Sequence, residues 1–551
     1  MKRYIPFLLL AAFGAAQNTE NAAAMDRLLD RIVDREAVFM ETMKKRAPLV
    51  ETYIQEQSPH SGKLLKDHYF LGRLHFGDNV SYESLINRTD TSAATLPAPT
   101  PIEKGKSRKN AKQDSTTAPV PAPSGIAFLP KGFAHMAFID TRDFSRNTYQ
   151  FDYVGRDFLG DVRCLLFDVA PRSRNQPGKF VGRIWVEDTG NTIVRFDGSY
   201  VESPGSKDVP SERYFHFDSW RTEAAPREWI PYQVYVEEGD AFRAQTRLWD
   251  FNPITNTRWS ELTAIILEES ARVKDDSAAS DLSPLESQRA WERQAEDNVL
   301  SRLERGGLLA PQGTVDDVLN TVVQNLIVAG KLPFDARCRV LLTTPFETFS
   351  IGHTIVISRG LIDVLPDEAS LAMALYMELA AISLAPRAPT SFAFHNSTKL
   401  SDADLLRGAR FAAPKDNLTP IARKAMELLR ISPYGKSPGA GMFLKTLVTR
   451  APNMPQLTTA TLGNSLGTQE SLARLADLAA AAPMVEDDKL DQISALPLGS
   501  RIKISPAQNR IEMIKSKPVS LLSAREKMAF EVTPFSPRLT RTSTPVLAAE
   551  K

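Results

Sequence analysis

"GRIWVEDTGNTIVRFDG", residues 182–198, combines two short runs of β-branched and aromatic residues with a polar centre. Runs this short, rich in β-branched and aromatic residues and bounded by polar residues, are typical of strands. The centre, Asp-Thr-Gly-Asn at 188–191, consists of residue types that favour tight turns. The stretch therefore predicts a β-hairpin whose tip lies at 188–191.

A period of two extends outward over residues 125–268. Short runs such as TYQFDYVG, DVRCLLFDVAP, IPYQVYVEE and FRAQTRLWDF are separated by Gly, Asn, Asp and Pro, which predicts an antiparallel meander. This succession resembles the LolA-like fold of outer-membrane lipoprotein carriers, a curved antiparallel sheet that can hold acyl chains. The resemblance implies lipid or lipoprotein as a partner of this β domain, and it assigns no individual acyl-binding residue.

The amino terminus has the pattern of a secretory signal peptide. Lys2 and Arg3 precede the apolar run YIPFLLLAAF, and three small residues at 14–16 follow it. Residues 1–16 are therefore predicted to be removed on export, to the periplasm or the cell exterior. The apolar run is too short to span a bilayer, so we expect no transmembrane segment in the mature chain.

Two segments are predicted between the signal peptide and the β domain. Residues 17–88 form an N-terminal helical segment in this interpretation, because apolar side chains from Met25 to Met43 recur at three-to-four spacing. Residues 89–124 are rich in Pro, Ser, Thr and Ala and poor in large apolar residues. They are predicted to be a disordered linker, since they cannot bury enough apolar surface to fold.

Composition is that of a globular protein of two to four domains. The 551 residues are 42% hydrophobic and 24% charged, and a net charge of +1 gives no reason to expect nucleic acid as a partner. Cys164 and Cys338 are the two cysteines, each inside an apolar strand-like run. Two buried free thiols and a disulfide between domains are both compatible with this placement.

A second pattern occupies "FSIGHTIVISRGLIDVLPDEASLAMALYMELAAI", residues 349–382. A strand is followed by Ser-Arg-Gly-Leu, an acidic turn and an apolar helix with Glu378 in its middle. This order resembles the zinc metallopeptidases of the HtpX, BepA and CAAX-prenyl-endopeptidase type, which are gluzincins. The resemblance implies a mainly helical metallopeptidase-like domain at 283–450. Within 451–551 the sequence itself predicts a C-terminal helix, at 468–482, and an extended tail.

The resemblance also implies where the zinc ligands should stand. In the motif HExxH, two histidines four residues apart on one helical face bind zinc, and the glutamate activates a water. Here Glu378 occupies the glutamate position, whereas Met377 and Ala381 occupy the histidine positions. Leu418 occupies the position of the third ligand, a glutamate on a downstream helix. No zinc is expected, and Glu378 is predicted to be a relic of the general base.

The surroundings of this glutamate leave alternatives open. A carboxyl group on an apolar helix is expected to be neutral or paired with a cation such as Arg359 or Arg423. His353 and His395 are the histidines of this region. They could act with Glu378 as substitute ligands for a displaced metal site.

The predicted fold class is multidomain α+β, an antiparallel LolA-like sheet domain followed by the metallopeptidase-like domain. The favoured function is that of an exported pseudoenzyme that binds peptides or proteins in the cell envelope, as a chaperone would. Residues 350–358 are the candidate strand edge for an extended peptide. The alternatives are an active zinc metalloendopeptidase with non-standard ligands, and a lipid or lipoprotein carrier that acts through the β domain.

Overall fold

The structure, a computed structural model, describes most of the chain. The described residues are 8–58, 63–76, 80–86, 128–173, 176–203, 214–239, 241–251, 284–384, 411–486, 489, 498–506, 508–514, 530–535 and 537–541. The predicted linker at 89–124 and His395 lie outside them. None of the described helices is long and apolar enough to cross a membrane.

The elements are numbered in chain order. The helices are α1 Leu8–Met43, α2 Pro130–His135, α3 Pro284–Arg305, α4 Thr314–Gly330, α5 Arg359–Val364, α6 Glu368–Leu384, α7 Lys415–Ile431, α8 Gly439–Arg450, α9 Pro455–Thr458, α10 Gln469–Arg474 and α11 Ala476–Ala481. The first ten strands are β1 Leu49–Gln57, β2 Leu64–Phe76, β3 Val80–Ser84, β4 Tyr149–Leu159, β5 Val162–Pro171, β6 Phe180–Glu187, β7 Ile193–Tyr200, β8 His216–Ala225, β9 Glu228–Glu238 and β10 Phe242–Trp249. The later strands are β11 Arg337–Leu341, β12 Glu347–Ile351, β13 Thr354–Ser358, β14 Asn464–Ser465, β15 Ile502–Ser505 and β16 Arg510–Met513.

Ten antiparallel strands form one large sheet, in the order β3-β2-β1-β10-β9-β8-β7-β6-β5-β4. The predicted hairpin is present, with β6 and β7 paired from Phe180↔Tyr200 to Val186↔Ile193. At its tip Asn191 has φ of 58°, a left-handed conformation that asparagine tolerates better than most residues. A large antiparallel sheet accompanied by helices agrees with the α+β class.

The predicted helical segment at 17–88 is wrong beyond Met43. After α1 ends, the chain forms β1, β2 and β3, and β1 pairs with β10 so that these strands extend the meander at its far edge. The strands escaped prediction because nearly every residue of β1 is buried. Its two buried faces remove the alternation that marks a half-exposed strand.

One face of the sheet, the inner face, is covered by α1 and by the segment around α2. Leu29, Ile32 and Phe39 of α1 belong to the same buried apolar cluster as Phe180 and Phe217 of the sheet. An open apolar face for acyl chains, as in a carrier, is therefore not what the described residues form. This face is a packed core.

A buried ion pair fixes α1 on that face. Arg221 of β8 donates two hydrogen bonds to the carboxylate of Glu36, at 2.8 and 2.6 Å, and a third to the carbonyl oxygen of Ile193, at 3.2 Å. Its guanidinium also lies 3.9 Å from the ring centre of Phe39. Both charged side chains are at most 1% exposed, so water contributes nothing to their solvation.

The carboxy-terminal half contains a second, four-stranded sheet in the order β11-β13-β12-β14. β13 lies between β11 and β12, so residues 354–358 of the predicted strand edge at 350–358 are interior. The predicted helix at 468–482 is two short helices, α10 and α11, which are separated at Leu475. β15 and β16 form a hairpin that was not predicted.

The other face of the large sheet, the outer face, packs against this carboxy-terminal half. Leu49, Tyr69 and Trp249 of the sheet share one apolar cluster with Phe346 and Leu375 of the other half. The two predicted domains at 125–268 and 283–450 therefore have a common core.

Buried polar contacts fix the position of the two halves. The carboxylate of Asp67 accepts hydrogen bonds from the backbone N–H groups of Gln456 and Leu457, both at 2.9 Å.

The two cysteines do not form a disulfide. Cys164 and Cys338, one in each half, are buried and free.

Replacing Glu36 tests how far the fold depends on this ion pair. Glu36→Ala should lower the free energy of unfolding by about 3–5 kcal/mol, because Arg221 would keep its charge without a partner. The matched control is Asp30→Ala on the same helix, whose carboxylate is exposed and paired with Arg146; it should cost no more than about 1 kcal/mol. Urea denaturation of both variants gives the comparison, and equal losses would contradict the expectation.

Candidate functional site

Helix α6 carries the candidate site and is surrounded by protein. Twelve of its residues are buried, Glu378 among them. Asp367 caps its amino terminus, since the Asp367 carboxylate accepts hydrogen bonds from the Ser370 backbone N–H at 2.8 Å and the Ser370 hydroxyl at 2.7 Å. The apolar sequence that follows allows burial on nearly all sides, and it carries Glu378 into the interior.

Hydroxyl and amide groups hold Glu378, not a cation. Its Oε1 accepts hydrogen bonds from the Thr348 hydroxyl on β12 at 2.7 Å and the Asn464 amide on β14 at 3.1 Å. In the described part of the chain neither expected arginine contacts it: Arg359 is next to Asp363 at 3.4 Å, and Arg423 is exposed. The ion-pair alternative is therefore wrong.

The protonation of Glu378 follows from this environment. The residue is 2% exposed, and burial raises the pKa of its carboxyl group. Hydrogen bonds from Thr348, Asn464 and the nearby Ser350 hydroxyl oppose that rise by stabilising the charged form. Oε2 makes no hydrogen bond of good geometry. The net effect is a raised pKa, so the neutral acid persists to higher pH than in an exposed glutamate.

A cavity of about 240 Å³ lies beside this carboxyl group, between β12, α6 and α7. Its polar lining comes from Glu378, Ser350, Asn417 and Asn464. The rest of the lining is apolar or small: Ala381, Leu384, Phe411, Ala413, Pro414, Pro420 and Ile421. Such a cavity, mostly apolar with a few convergent polar groups, is typical of a ligand site.

Of the three predicted zinc-ligand positions, only one lines the cavity beside Glu378. Ala381 lines the cavity, and Met377, half-buried, packs against the apolar core. Leu418 does not line the cavity. Its neighbour Asn417 does, as does Ile421 one turn later, so the assignment of Leu418 does not match the face that α7 presents to Glu378.

The substitute metal site is not formed by the residues that the structure describes. His353 is exposed at the turn between β12 and β13, where its Nδ1 lies 2.9 Å from the carbonyl oxygen of Asp335 and its ring packs against Phe334. It makes no contact with Glu378. Among the described residues no group of three His, Cys, Asp or Glu side chains lies close enough together to hold a metal ion.

The residues present do not fit a catalytic zinc ion. Such an ion needs three fixed ligands and one open position. Met377 offers a soft neutral thioether, Ala381 has no donor atom, and Leu418 is apolar. Cys338 does not line the cavity. Its thiol is buried, and burial raises its pKa, which makes it a poor nucleophile.

Three polar residues of the site were missed by sequence reasoning: Thr348, Asn417 and Asn464. Thr348 and Ser350 alternate along β12, and this spacing of hydroxyls beside a predicted helix was a usable signal. Asn464 lies 86 residues from Glu378 in sequence, within a two-residue strand. Nothing local marks that amide as a partner.

Comparisons with known proteins give little beyond the geometry. No family model matches the chain, and no curated protein matches it. Among solved structures, a DUF1329 family protein from Desulfovibrio piger ATCC 29098 is similar, with 15% identity, 41% of this chain and 94% of that chain covered, and a TM-score of 0.22. At that TM-score the similarity carries no argument about ligand, partner or activity. The metallopeptidase resemblance stays a prediction.

Glu378→Gln should make the protein more stable at neutral and alkaline pH. The folded state raises the pKa of this carboxyl group, so its contribution to stability is complete below the ordinary value near 4.5 and is lost as pH rises toward the raised value. Glutamine resembles the neutral acid and does not ionise. Urea denaturation should therefore show little difference between variant and wild type near pH 4.5 and a clear gain for Glu378→Gln at pH 8. Glu427→Gln, exposed on α7, is the control; a gain independent of pH would contradict this expectation.

Zinc binding should be absent from the purified protein and recoverable by design. We compare two triple variants, each with Met377→His and Ala381→His. The one that adds Asn417→Glu should bind zinc more tightly than the one that adds Leu418→Glu, because Asn417 lines the cavity and Leu418 does not. Elemental analysis and a zinc-indicator titration compare the two triple variants. One tightly held zinc ion per unmodified chain would overturn the assignment of the ligand positions.

Proposed function

We propose that this chain is a non-catalytic binding protein that holds an extended peptide at the cavity beside Glu378. The carrying observation is the buried Glu378 carboxyl group. Thr348 and Asn464 fix one oxygen, the other oxygen makes no hydrogen bond of good geometry although the Ser350 hydroxyl is near the group, and no cation contacts it in the described part of the chain. A group in this state suits recognition of a polar ligand atom better than proton abstraction.

The chemistry of the site supports one role for this group. When protonated on Oε2, the carboxyl group donates a hydrogen bond to a ligand carbonyl, while Thr348 and Asn464 keep Oε1 in place. The apolar wall formed by Phe411 and Ile421 would take one side chain of the ligand. An uncharged donor beside an apolar wall fits a peptide better than an anion.

The neighbouring strand offers a place for the ligand backbone. β14 pairs with β12 only at Glu347 and Thr348. The edge of β12 at Ser350 and Ile351 is beyond this pairing, and Ser350 lines the cavity. An extended peptide that adds to this edge would form backbone hydrogen bonds and direct a side chain toward Glu378.

The two other functions lack a supporting observation. An active metallopeptidase needs three ligands, which Met377, Ala381 and Leu418 do not provide. A lipid or lipoprotein carrier needs an accessible apolar surface, and α1 covers the inner face of the large sheet. Location in the cell envelope belongs to the proposal as well and rests on the signal-peptide pattern of residues 1–16.

Fluorescein-labelled casein, an unfolded polypeptide, tests binding and cleavage together. We expect binding, measured by fluorescence anisotropy, without release of small labelled fragments. Glu378→Gln should bind about as well as wild type because it keeps a neutral donor in the same place. Glu378→Ala should bind roughly tenfold more weakly or worse, because the ligand atom loses its buried partner.

Ser383→Ala is the matched control, since Ser383 is exposed on the same helix and does not line the cavity. It should bind like wild type. Three results would refute the proposal: no binding by the folded protein, equal binding by Glu378→Ala and wild type, or fragment release that Glu378→Gln abolishes. The last would establish a peptidase.

A further inference from the structure

A second surface of the molecule already holds an extended segment, the chain's own carboxy-terminal tail. The tail is defined as residues 530–541, with the sequence FEVTPFSPRLTR. It has no helix or strand in its described part, and it crosses from the carboxy-terminal half onto the outer face of the large sheet. The surface beneath it, from Gln55 to Glu187, is called the outer groove.

A buried glutamine contacts the backbone at the start of the tail. The Gln55 amide nitrogen donates to the carbonyl oxygen of Phe530 at 2.7 Å, and its amide oxygen accepts from the backbone N–H of Val532 at 2.7 Å. Gln55 is fully buried. Paired bonds to a carbonyl and an N–H recognise an extended backbone whatever its side chains are.

Apolar anchors follow at intervals. Phe530 packs between two other phenylalanines. Its ring centre lies 6.0 Å from that of Phe346 and 6.4 Å from that of Phe443. Phe535 packs on Trp220 of β8 and on Tyr232 of β9. Leu539, 3% exposed, completes a small apolar cluster of the outer face that includes Trp185 and Trp220. Side chains spaced along an extended segment and set into aromatic surface give a groove its selectivity.

Charges complete the fit at the far end. Arg538 donates to the Asp161 carboxylate at 2.8 Å, and Arg541 donates to the buried carboxylate of Glu187. The backbone N–H of Asp161 donates to the carbonyl oxygen of Leu539 at 2.9 Å. The acidic end of the groove thus matches two arginines that flank a buried leucine.

We propose that the outer groove is a recognition site for an extended peptide of another protein, one that presents aromatic and leucine anchors and arginines spaced like those of the tail. The tail occupies this groove in cis and competes with such a partner. A tethered segment has an effective concentration of about millimolar order, so a free peptide at micromolar concentration cannot displace it from the wild-type chain.

The test uses the full chain and a labelled synthetic peptide of residues 530–541 as the probe. In the variant Leu539→Asp with Arg541→Glu, the tail loses its leucine anchor and its ion pair with Glu187. The peptide should then bind at least tenfold more tightly than it binds wild type, measured by fluorescence anisotropy. Hydrogen exchange at the Asp161 amide should be faster in the variant and slow again when the peptide is added.

Three controls accompany this test: a charge-matched variant, a substituted peptide and a variant of the other candidate site. Val328→Asp with Lys331→Glu makes the same charge change at exposed positions of α4 and its carboxy-terminal end and should not improve peptide binding. A peptide carrying the two tail substitutions should not bind. Glu378→Ala should leave tail-peptide binding unchanged, which separates this groove from the cavity on α6. The proposal is overturned if the folded tail variant binds both peptides equally, or if the substitutions unfold the protein, since the tail would then be part of the core.

Discussion

The ion pair between Glu36 and Arg221 determines what the large sheet can be used for. Both groups are out of contact with water, and neither tolerates loss of its partner. The pair holds α1 over the inner face, where phenylalanines of the sheet would otherwise be exposed. The sheet therefore becomes the centre of a layered protein, with α1 on its inner face and the carboxy-terminal half packed on its outer face.

The outer face shows how polar groups can set the arrangement of two packed halves. Asp67 meets the backbone N–H groups at the start of α9, and Glu51 accepts hydrogen bonds from the backbone N–H of Thr344 at 2.6 Å and its hydroxyl at 2.7 Å. Each carboxylate satisfies groups that would be costly to bury alone. Apolar burial alone would permit sliding between the halves, whereas these directional contacts select one position. The outer groove depends on that position, because the tail contacts both halves.

Periodicity predicted the meander because strands such as β5, β7 and β10 alternate between more and less buried positions, and the turn residues at 188–191 predicted the hairpin. Periodicity failed for β1, because both of its faces are buried and both carry polar side chains, among them Glu51 and Thr52. The glutamate of the site was singled out through its place in an HExxH-like stretch, a resemblance that stays a prediction. Its partners could not be identified, because Asn464 lies 86 positions from Glu378 in the sequence and no local pattern joins them. The error at Leu418 is smaller, since one residue of helix turns a side chain by about 100° and away from the cavity.

The state of Glu378 depends on which groups surround it. A general base must be ionised at working pH, and a zinc ion with its histidines would favour that state. Here the neutral donors Thr348, Asn464 and Ser350 take the place of that positive charge, and burial outweighs them and raises the pKa of the carboxyl group. Restoring one histidine would leave this balance nearly unchanged, because one imidazole neither fixes a metal nor provides a permanent charge. In the role we propose, this carboxyl group binds a ligand through a hydrogen bond and does not activate water.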